Sequence, residues 1–159
     1  MINVLFICLG NICRSPMAEA IFCKRIEEAG LSGLVAVDSA GIGHWHEGKK
    51  IHPSARELLG QKGIPIVEKT AKQVQLEQLD AYDHIIVMDR LNLQDLSAMI
   101  PAYSSRYRLF SEFINGREGE DIADPFFTGE FEAVFEQLDA GCAELCETIK
   151  QQIRWKEPI

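Results

Sequence analysis

The sequence lacks two features that define large classes of proteins: a long apolar run and a basic segment. No apolar stretch approaches the ~18 residues that a membrane-spanning helix requires. Basic residues are sparse, since the net charge is −8 and residues 117–147 contain ten acidic residues against one basic residue, Arg117. A protein that holds a nucleic-acid backbone needs a stripe of lysine and arginine. The sequence therefore predicts neither a membrane partner nor a nucleic-acid partner.

A regular framework of paired cysteines is missing as well. The five cysteines form an odd set, and Cys8 and Cys13 have no second pair at the spacing of a structural zinc site. His44 and His46 form a His-x-His pattern without an evident third ligand, so we expect both to be solvated loop residues and predict no metal. Reduced thiols, together with ten leading residues that lack the basic start of a secretory signal, favour a cytoplasmic location.

Apolar runs alternate with amphipathic stretches along the 159 residues, which we take as one domain, 1–159. Strands are predicted at 2–8, 34–40, 83–88 and 106–110, and helices at 16–29, 53–62, 90–99 and 129–155. Ser15 is the predicted N-cap of the first helix, with Pro16 at its first position. This order predicts an α/β fold with a parallel sheet covered on both faces, and ligands beyond the carboxyl ends of its strands.

The stretch CLGNICRSP, residues 8–16, lies at such a strand end and has four competing explanations. It could be a metal knuckle, a disulfide, a nucleophile beneath a bound anion, or ordinary packing of a small cysteine. A strand, a glycine-containing turn and a helix start together present backbone N–H groups and a positive dipole end to an anion. Arg14 adds a planar fork that suits phosphate. These features favour the anion site, with the thiolate of Cys8 as a nucleophile for phosphorus.

The same stretch resembles the signature of the low-molecular-weight protein tyrosine phosphatases, in which Cys, five residues, Arg and Ser follow in order. The resemblance continues through DSAG at 38–41, MDRLN at 88–92 and DPF at 124–126, so it spans nearly the whole chain. It implies a single-domain three-layer α/β/α architecture of the flavodoxin-like type, with a four-stranded parallel sheet. It also implies hydrolysis through a phosphocysteine, with no cofactor and no metal.

The resemblance implies a role for each residue of the site. Cys8, Arg14 and Asp124 are the implied catalytic residues, Asp124 being the general acid and base. The implied phosphate and substrate contacts are Leu9, Gly10, Asn11, Ile12, Cys13, Arg14, Ser15, Trp45 and Phe126. Asn11, Ser15 and Ser39 would support the loop, and Cys13 would trap an oxidised Cys8 as a reversible disulfide. The implied partners are phosphotyrosine proteins and a cognate tyrosine kinase; the oligomeric state is left open.

Two departures from the family pattern stand out. Lys69 and Lys72 occupy places where the family often carries a histidine and an arginine, so we expect the histidine's contact to the loop to be lost. Phe126 and Phe127 replace tyrosines that in some relatives are phosphorylated, which closes that route of regulation.

Two other functions compete with the phosphatase. An arsenate reductase of the same fold also begins with Cys, five residues and Arg, but it needs shuttle cysteines near a mobile segment, and residues 63–110 contain none. A non-catalytic phosphopeptide-binding module has no need of Cys8, Arg14 and Asp124 together. We therefore expect a phosphoric monoester hydrolase.

Overall fold

The computed structural model describes residues 1–156, with side chains described to Arg154. Its strands are β1 (Ile2–Cys8), β2 (Val35–Gly41), β3 (His84–Val87) and β4 (Tyr107–Leu109). Its helices are α1 (Arg14–Glu28), α2 (Pro53–Gln61), α3 (Leu76–Leu79), α4 (Arg90–Met99), α5 (Pro125–Thr128) and α6 (Phe131–Lys156), with 3₁₀ turns at Pro101–Arg106 and Phe110–Phe113. The last three residues of the predicted 1–159 domain lie outside the described part.

The four strands form one parallel sheet in the order β2-β1-β3-β4. Central β1 is buried on both faces, and its alternate residues enter two separate cores: Val4, Phe6 and Cys8 face α1 and α6, whereas Leu5 and Ile7 face α4. This alternation follows from the two-residue period of a strand. The predicted three-layer α/β/α fold with four parallel strands is confirmed.

The four predicted helices are found to within two residues at each end, as α1, α2, α4 and α6, whereas the short helices α3 and α5 were not predicted. The main difference concerns the cap of α1. The helix begins at Arg14 with Cys13 as N-cap, and no side chain caps it, so the prediction of Ser15 as N-cap is wrong. Pro16 is tolerated at the third helical position because none of the first four helical N–H groups has an intrahelical acceptor. The hydroxyl of Ser15 is thereby released from capping and turns towards the sulfur of Cys8.

Candidate active site

Asn11 makes the sharp bend in the loop of residues 8–15, which we call the phosphate loop. Its φ of 58° is left-handed, which within the described chain no other non-glycine residue adopts. Its side-chain amide donates to the hydroxyls of Ser15 (2.8 Å) and Ser39 (3.0 Å), and its Oδ1 accepts from the N–H of Lys72 (3.1 Å). Three hydrogen bonds therefore hold the backbone in a conformation that asparagine tolerates better than most residues.

The phosphate loop keeps its backbone donors free. Apart from the N–H of Asn11, which donates to the Cys8 sulfur at 3.3 Å, its N–H groups have no acceptor within the described chain. They belong to Leu9, Gly10, Ile12, Cys13, Arg14 and Ser15. The positive end of the 15-residue helix α1 lies behind them. Such a cluster of unpaired donors beside a helix start is the arrangement that binds a tetrahedral anion.

Cys8 ends β1 directly beneath this loop and is 3% exposed. Its Sγ lies 3.0 Å from the hydroxyl oxygen of Ser15 and accepts from the Asn11 N–H. If the Ser15 hydroxyl donates, both contacts stabilise negative charge on sulfur. The sulfur lines the cleft, with both of these groups within hydrogen-bond distance of it.

Arg14 is buried, 1% exposed, and is fixed by three protein oxygens. Its NH1 donates to Asp89 Oδ2 (2.6 Å) and to the carbonyl of Ile122 (2.7 Å), and its NH2 lies 3.4 Å from Asp124 Oδ2. Burial lowers the pKa of Arg14, but the nearby Cys8 and the Asp89 hydrogen bond outweigh it, so the net shift is upward. The buried Nε–H has no partner in the described structure, so it is a donor available to a substrate oxygen.

Sequence reasoning assigned no role to Asp89, which orients this guanidinium. It lies two residues after the end of β3 and caps α4, where its Oδ1 accepts from the N–H of Asn92 at 2.6 Å. Because β3 neighbours β1 in a parallel sheet, an aspartate at its carboxyl end must lie close to the phosphate loop. The position of Asp89 after a buried strand was therefore a usable signal.

Asp124 comes from a distant part of the chain and reaches the same cleft. It caps the short helix α5, and its Oδ1 accepts from the N–H of Phe126 at 3.1 Å. Its side chain is 19% exposed, which leaves it open to substrate. Cys8, Arg14 and Asp124, predicted as the catalytic set, are brought together.

The cleft above Cys8 has mainly apolar walls and about 350 Å³ of empty space. Leu9 and Ile12 line it at the loop, and Trp45, Phe126 and Phe127 line its mouth. These three aromatic side chains are 63%, 46% and 72% exposed, which is unusual for rings of this size. A flat ring bound above the phosphate loop would therefore meet apolar side chains.

His46 is not the solvated residue that the sequence predicted. Its ring is partly buried, lines the cleft, and lies 5.7 Å from the ring of Phe126, centroid to centroid. A second histidine, His52 at the N-cap of α2, packs against Phe126 and Phe131. The prediction was wrong because the His46 ring packs over Gly10, where the lack of a side chain leaves room for it. His44 is exposed, as predicted.

Lys69 contacts the residues that support the phosphate loop, and its hydrogen bonds in the described structure go to these and not to residues 8–15 themselves. Its ammonium reaches Glu19 Oε1 (3.1 Å), a carboxylate oxygen of Asp38 and the hydroxyl of Ser39 (3.4 Å). The Ser39 hydroxyl in turn donates to Glu19 at 2.6 Å and accepts from Asn11. Lys69 thus places a positive charge beside the buried Glu19 and the Ser39 hydroxyl, which in turn holds Asn11.

The pKa values of the two carboxyls in this network shift in opposite directions. Burial raises the pKa of Glu19 above its ordinary value, and the contacts from Ser39 and Lys69 offset this only in part. Burial also opposes ionisation of Asp38, but hydrogen bonds from Lys69 and Lys72 outweigh it, so the pKa of Asp38 is lowered. Both carboxylates consequently depend on the ammonium of Lys69 at neutral pH.

We expect Lys69→Met to lower the free energy of unfolding by about 2 kcal/mol at pH 7, because it leaves the buried Glu19 carboxylate without its cation. A raised folded-state pKa makes ionised Glu19 cost stability as pH rises, whereas the stability gained by Asp38 is lost as pH falls. The part of the deficit that comes from Glu19 should therefore shrink near pH 4 as that carboxyl becomes protonated, whereas the part from Asp38 persists because its lowered pKa keeps it ionised there. Urea unfolding at both pH values measures it.

Lys150→Met is the matched control, since Lys150 pairs with Glu147 on the surface (3.0 Å). We expect it to change stability by less than about 1 kcal/mol at either pH. A Lys69→Met deficit that is equal at the two pH values would contradict the charge argument.

The remaining cysteines lie away from this chemistry, except Cys13. Cys13 is buried in the wall of the cleft, and burial, reinforced by Cys8 and Asp124, raises the pKa of its thiol. It therefore stays protonated beside Cys8, and its role in trapping an oxidised Cys8 stays a prediction. Cys142 and Cys146 are in the core, whereas Cys23 is partly exposed on α1. No group of three potential ligand side chains that could hold a metal occurs among the described residues.

Comparison with known proteins gives consistent matches over nearly the whole chain. The family model described as low molecular weight phosphotyrosine protein phosphatase matches residues 3–155. The low molecular weight protein-tyrosine-phosphatase YfkJ of Bacillus subtilis is 41% identical over 153 residues, covering 96% of this chain and 98% of YfkJ. PtpA of Staphylococcus epidermidis is 38% identical, with 99% of each chain covered. None of the described helices has the length and apolar character to cross a membrane.

Solved structures extend these matches to a second activity. The crystal structure of YfkJ superposes with a TM-score of 0.91 and covers 96% of each chain. A drosophila arginine phosphatase superposes with a TM-score of 0.84 at 30% identity, covering 94% of this chain and 98% of its own. Proteins named tyrosine phosphatase and arginine phosphatase therefore share this fold.

Proposed function

The chain belongs to the low-molecular-weight protein tyrosine phosphatase family, and we propose that it hydrolyses phosphotyrosine and other aryl phosphates through a phosphocysteine on Cys8. One observation carries the proposal: the sulfur lies beneath a loop of unpaired N–H groups whose arginine is already fixed by protein oxygens. Its physiological substrates would be phosphotyrosine proteins in the cytoplasm, opposite a cognate tyrosine kinase.

In the first step the Cys8 thiolate attacks phosphorus in line with the leaving oxygen. The sulfur–phosphorus bond forms as the phosphorus–oxygen bond to the aryl group breaks, and Asp124 donates a proton to the departing phenolate. The free loop N–H groups and the Arg14 guanidinium hold the equatorial oxygens. Because these donors are fixed before substrate binds, they need no reorganisation in the transition state.

In the second step water attacks the phosphocysteine. Asp124, now a carboxylate, takes a proton from this water, the phosphorus–sulfur bond breaks, and inorganic phosphate leaves. The Ser15 hydroxyl and the Asn11 N–H stabilise the thiolate as it leaves. Support comes from a relative: a solved structure of YwlE arginine phosphatase, 27% identical, is a cysteine-to-serine variant whose active-site serine is phosphorylated.

The walls of the cleft favour an aryl group over a guanidinium as the group beyond the phosphate. A phosphoarginine side chain presents N–H donors that need carboxylates, and Asp124 is the one acidic residue that lines the cleft within the described chain. That carboxyl already lies against Arg14 and the Phe126 N–H. The exposed rings of Trp45, Phe126 and Phe127 instead offer the apolar surface that a phenyl ring needs.

We expect Asp124→Asn to slow hydrolysis of phenyl phosphate by about 10²-fold, because phenolate, like the tyrosine anion with its pKa of about 10, leaves poorly without a proton. The far more acidic p-nitrophenol needs less help, so the loss with p-nitrophenyl phosphate should be much smaller. Steady-state kinetics with both esters, in the presence of a chelator, measure the ratio.

Asp121→Asn is the matched control. Asp121 lies three residues before Asp124 but pairs with Arg90 at 3.1 Å on the surface, so we expect no change in the ratio. Equal losses for the two esters in Asp124→Asn would move the acid role to another group. Turnover of phosphoarginine faster than phosphotyrosine would overturn the proposed substrate class.

A further inference from the structure

The indole of Trp45 rests directly on the backbone of Gly43. A Cβ built on Gly43 would lie 1.7 Å from Cζ3 of Trp45, 2.1 Å from Cε3 and 2.3 Å from Cη2. These separations are far below any van der Waals contact, so the ring occupies the space that a side chain at position 43 would take. The wall of the cleft therefore depends on the absence of a side chain two residues away.

Gly43 is not there for its backbone conformation. Its φ lies outside the left-handed region, so alanine could adopt the same backbone. Its N–H donates to the carbonyl of Leu9 at 3.0 Å, which links the segment after β2 to the phosphate loop. Gly43 thus contacts both the Trp45 ring and the phosphate loop, and it fixes the position of one relative to the other.

A methyl group at position 43 would displace the Trp45 ring without disturbing the fold. The Trp45 side chain is 63% exposed, so it can swing into solvent without leaving a cavity in the core. The backbone and the phosphate loop have no such freedom. The consequence of the clash should therefore appear in ligand selectivity.

We propose that Gly43 is a positioning residue that seats Trp45 as the wall against an aryl group and so sets the preference for aryl over alkyl phosphate. This inference rests on the proposed function for its substrate class. It assigns to Gly43 no contact with substrate, since its effect passes through the Trp45 ring.

The experiment measures binding of phenylphosphonate and methylphosphonate by calorimetry, because neither is hydrolysed. We expect Gly43→Ala to weaken the binding of phenylphosphonate by about three- to tenfold, which corresponds to the loss of one aromatic contact. Binding of methylphosphonate and of inorganic phosphate should not change. Gly60→Ala, at a helical glycine with open space around its Cα, is the matched control and should alter neither affinity.

The double variant separates a positioning role from a general disturbance. In a Trp45→Ala background, Gly43→Ala should have no further effect, because the ring through which it acts is gone. A further loss in that background, an equal loss for methylphosphonate, or no loss for phenylphosphonate would each overturn the inference. Turnover of phenyl phosphate by the unchanged protein is measured separately, so failure of the proposed function would be seen there and not in the binding ratio.

Discussion

Cys8→Ser is expected to lower kcat for phenyl phosphate by at least about 10⁴-fold, the scale on which removal of an essential nucleophile acts. Serine places an oxygen where the sulfur lies, but a hydroxyl is not ionised at neutral pH, and neither Ser15 nor the Asn11 N–H is a base that could ionise it. The free N–H groups of the loop and Arg14 are unchanged, so affinity for inorganic phosphate should persist.

Two measurements are needed because loss of turnover alone also follows from misfolding. Release of inorganic phosphate gives kcat, and calorimetric titration with phosphate shows that the loop still binds its anion. Cys23→Ser is the matched control: Cys23 lies on α1, outside the cleft, and should keep full activity. Residual turnover of Cys8→Ser above a few per cent would reject the phosphocysteine mechanism.

The nucleophile and its arginine could be predicted from sequence because they are local. Cys8 and Arg14 flank one turn between a strand and a helix, and the chemistry of that turn follows from residue types and spacing. Fold class followed for a similar reason, since each strand and helix has its own periodicity. The resemblance to the phosphatase family, now confirmed by the family match, supplied what spacing alone could not, above all the choice of Asp124.

Contacts between distant segments account for what the sequence did not reveal. Asp89 reaches Arg14 across 75 positions and Lys69 reaches Glu19 across 50. The strand end before Asp89 indicates that it lies near the site but not that it pairs with Arg14, and no local pattern marks the contact of Lys69. His46 was misjudged because its burial depends on Gly10, in another segment. Ser15 was misjudged as a cap because its hydroxyl has two competing uses, and the contact with the sulfur of Cys8 depends on the folded loop.

The second large effect is expected from Arg14→Lys, which should lower kcat by about 10³-fold although the positive charge is kept. The guanidinium uses NH1 for Asp89 and the Ile122 carbonyl and retains Nε–H, so it binds protein and substrate from different edges. A lysine ammonium is a single point that cannot reach both. It would remain with the carboxylate of Asp89, so the phosphate would lose a fixed donor in the transition state.

Arg90→Lys separates this geometric argument from a general effect of exchanging arginine for lysine. Arg90 also pairs with an aspartate, Asp121, but its side chain is 70% exposed, so the exchange should leave kcat and the unfolding midpoint unchanged. In Arg14→Lys, kcat should fall with both phenyl and p-nitrophenyl phosphate, because the equatorial oxygens are the same in each. A loss below about tenfold would mean that charge suffices at this position and that the planar fork of Arg14 is not what stabilises the transition state.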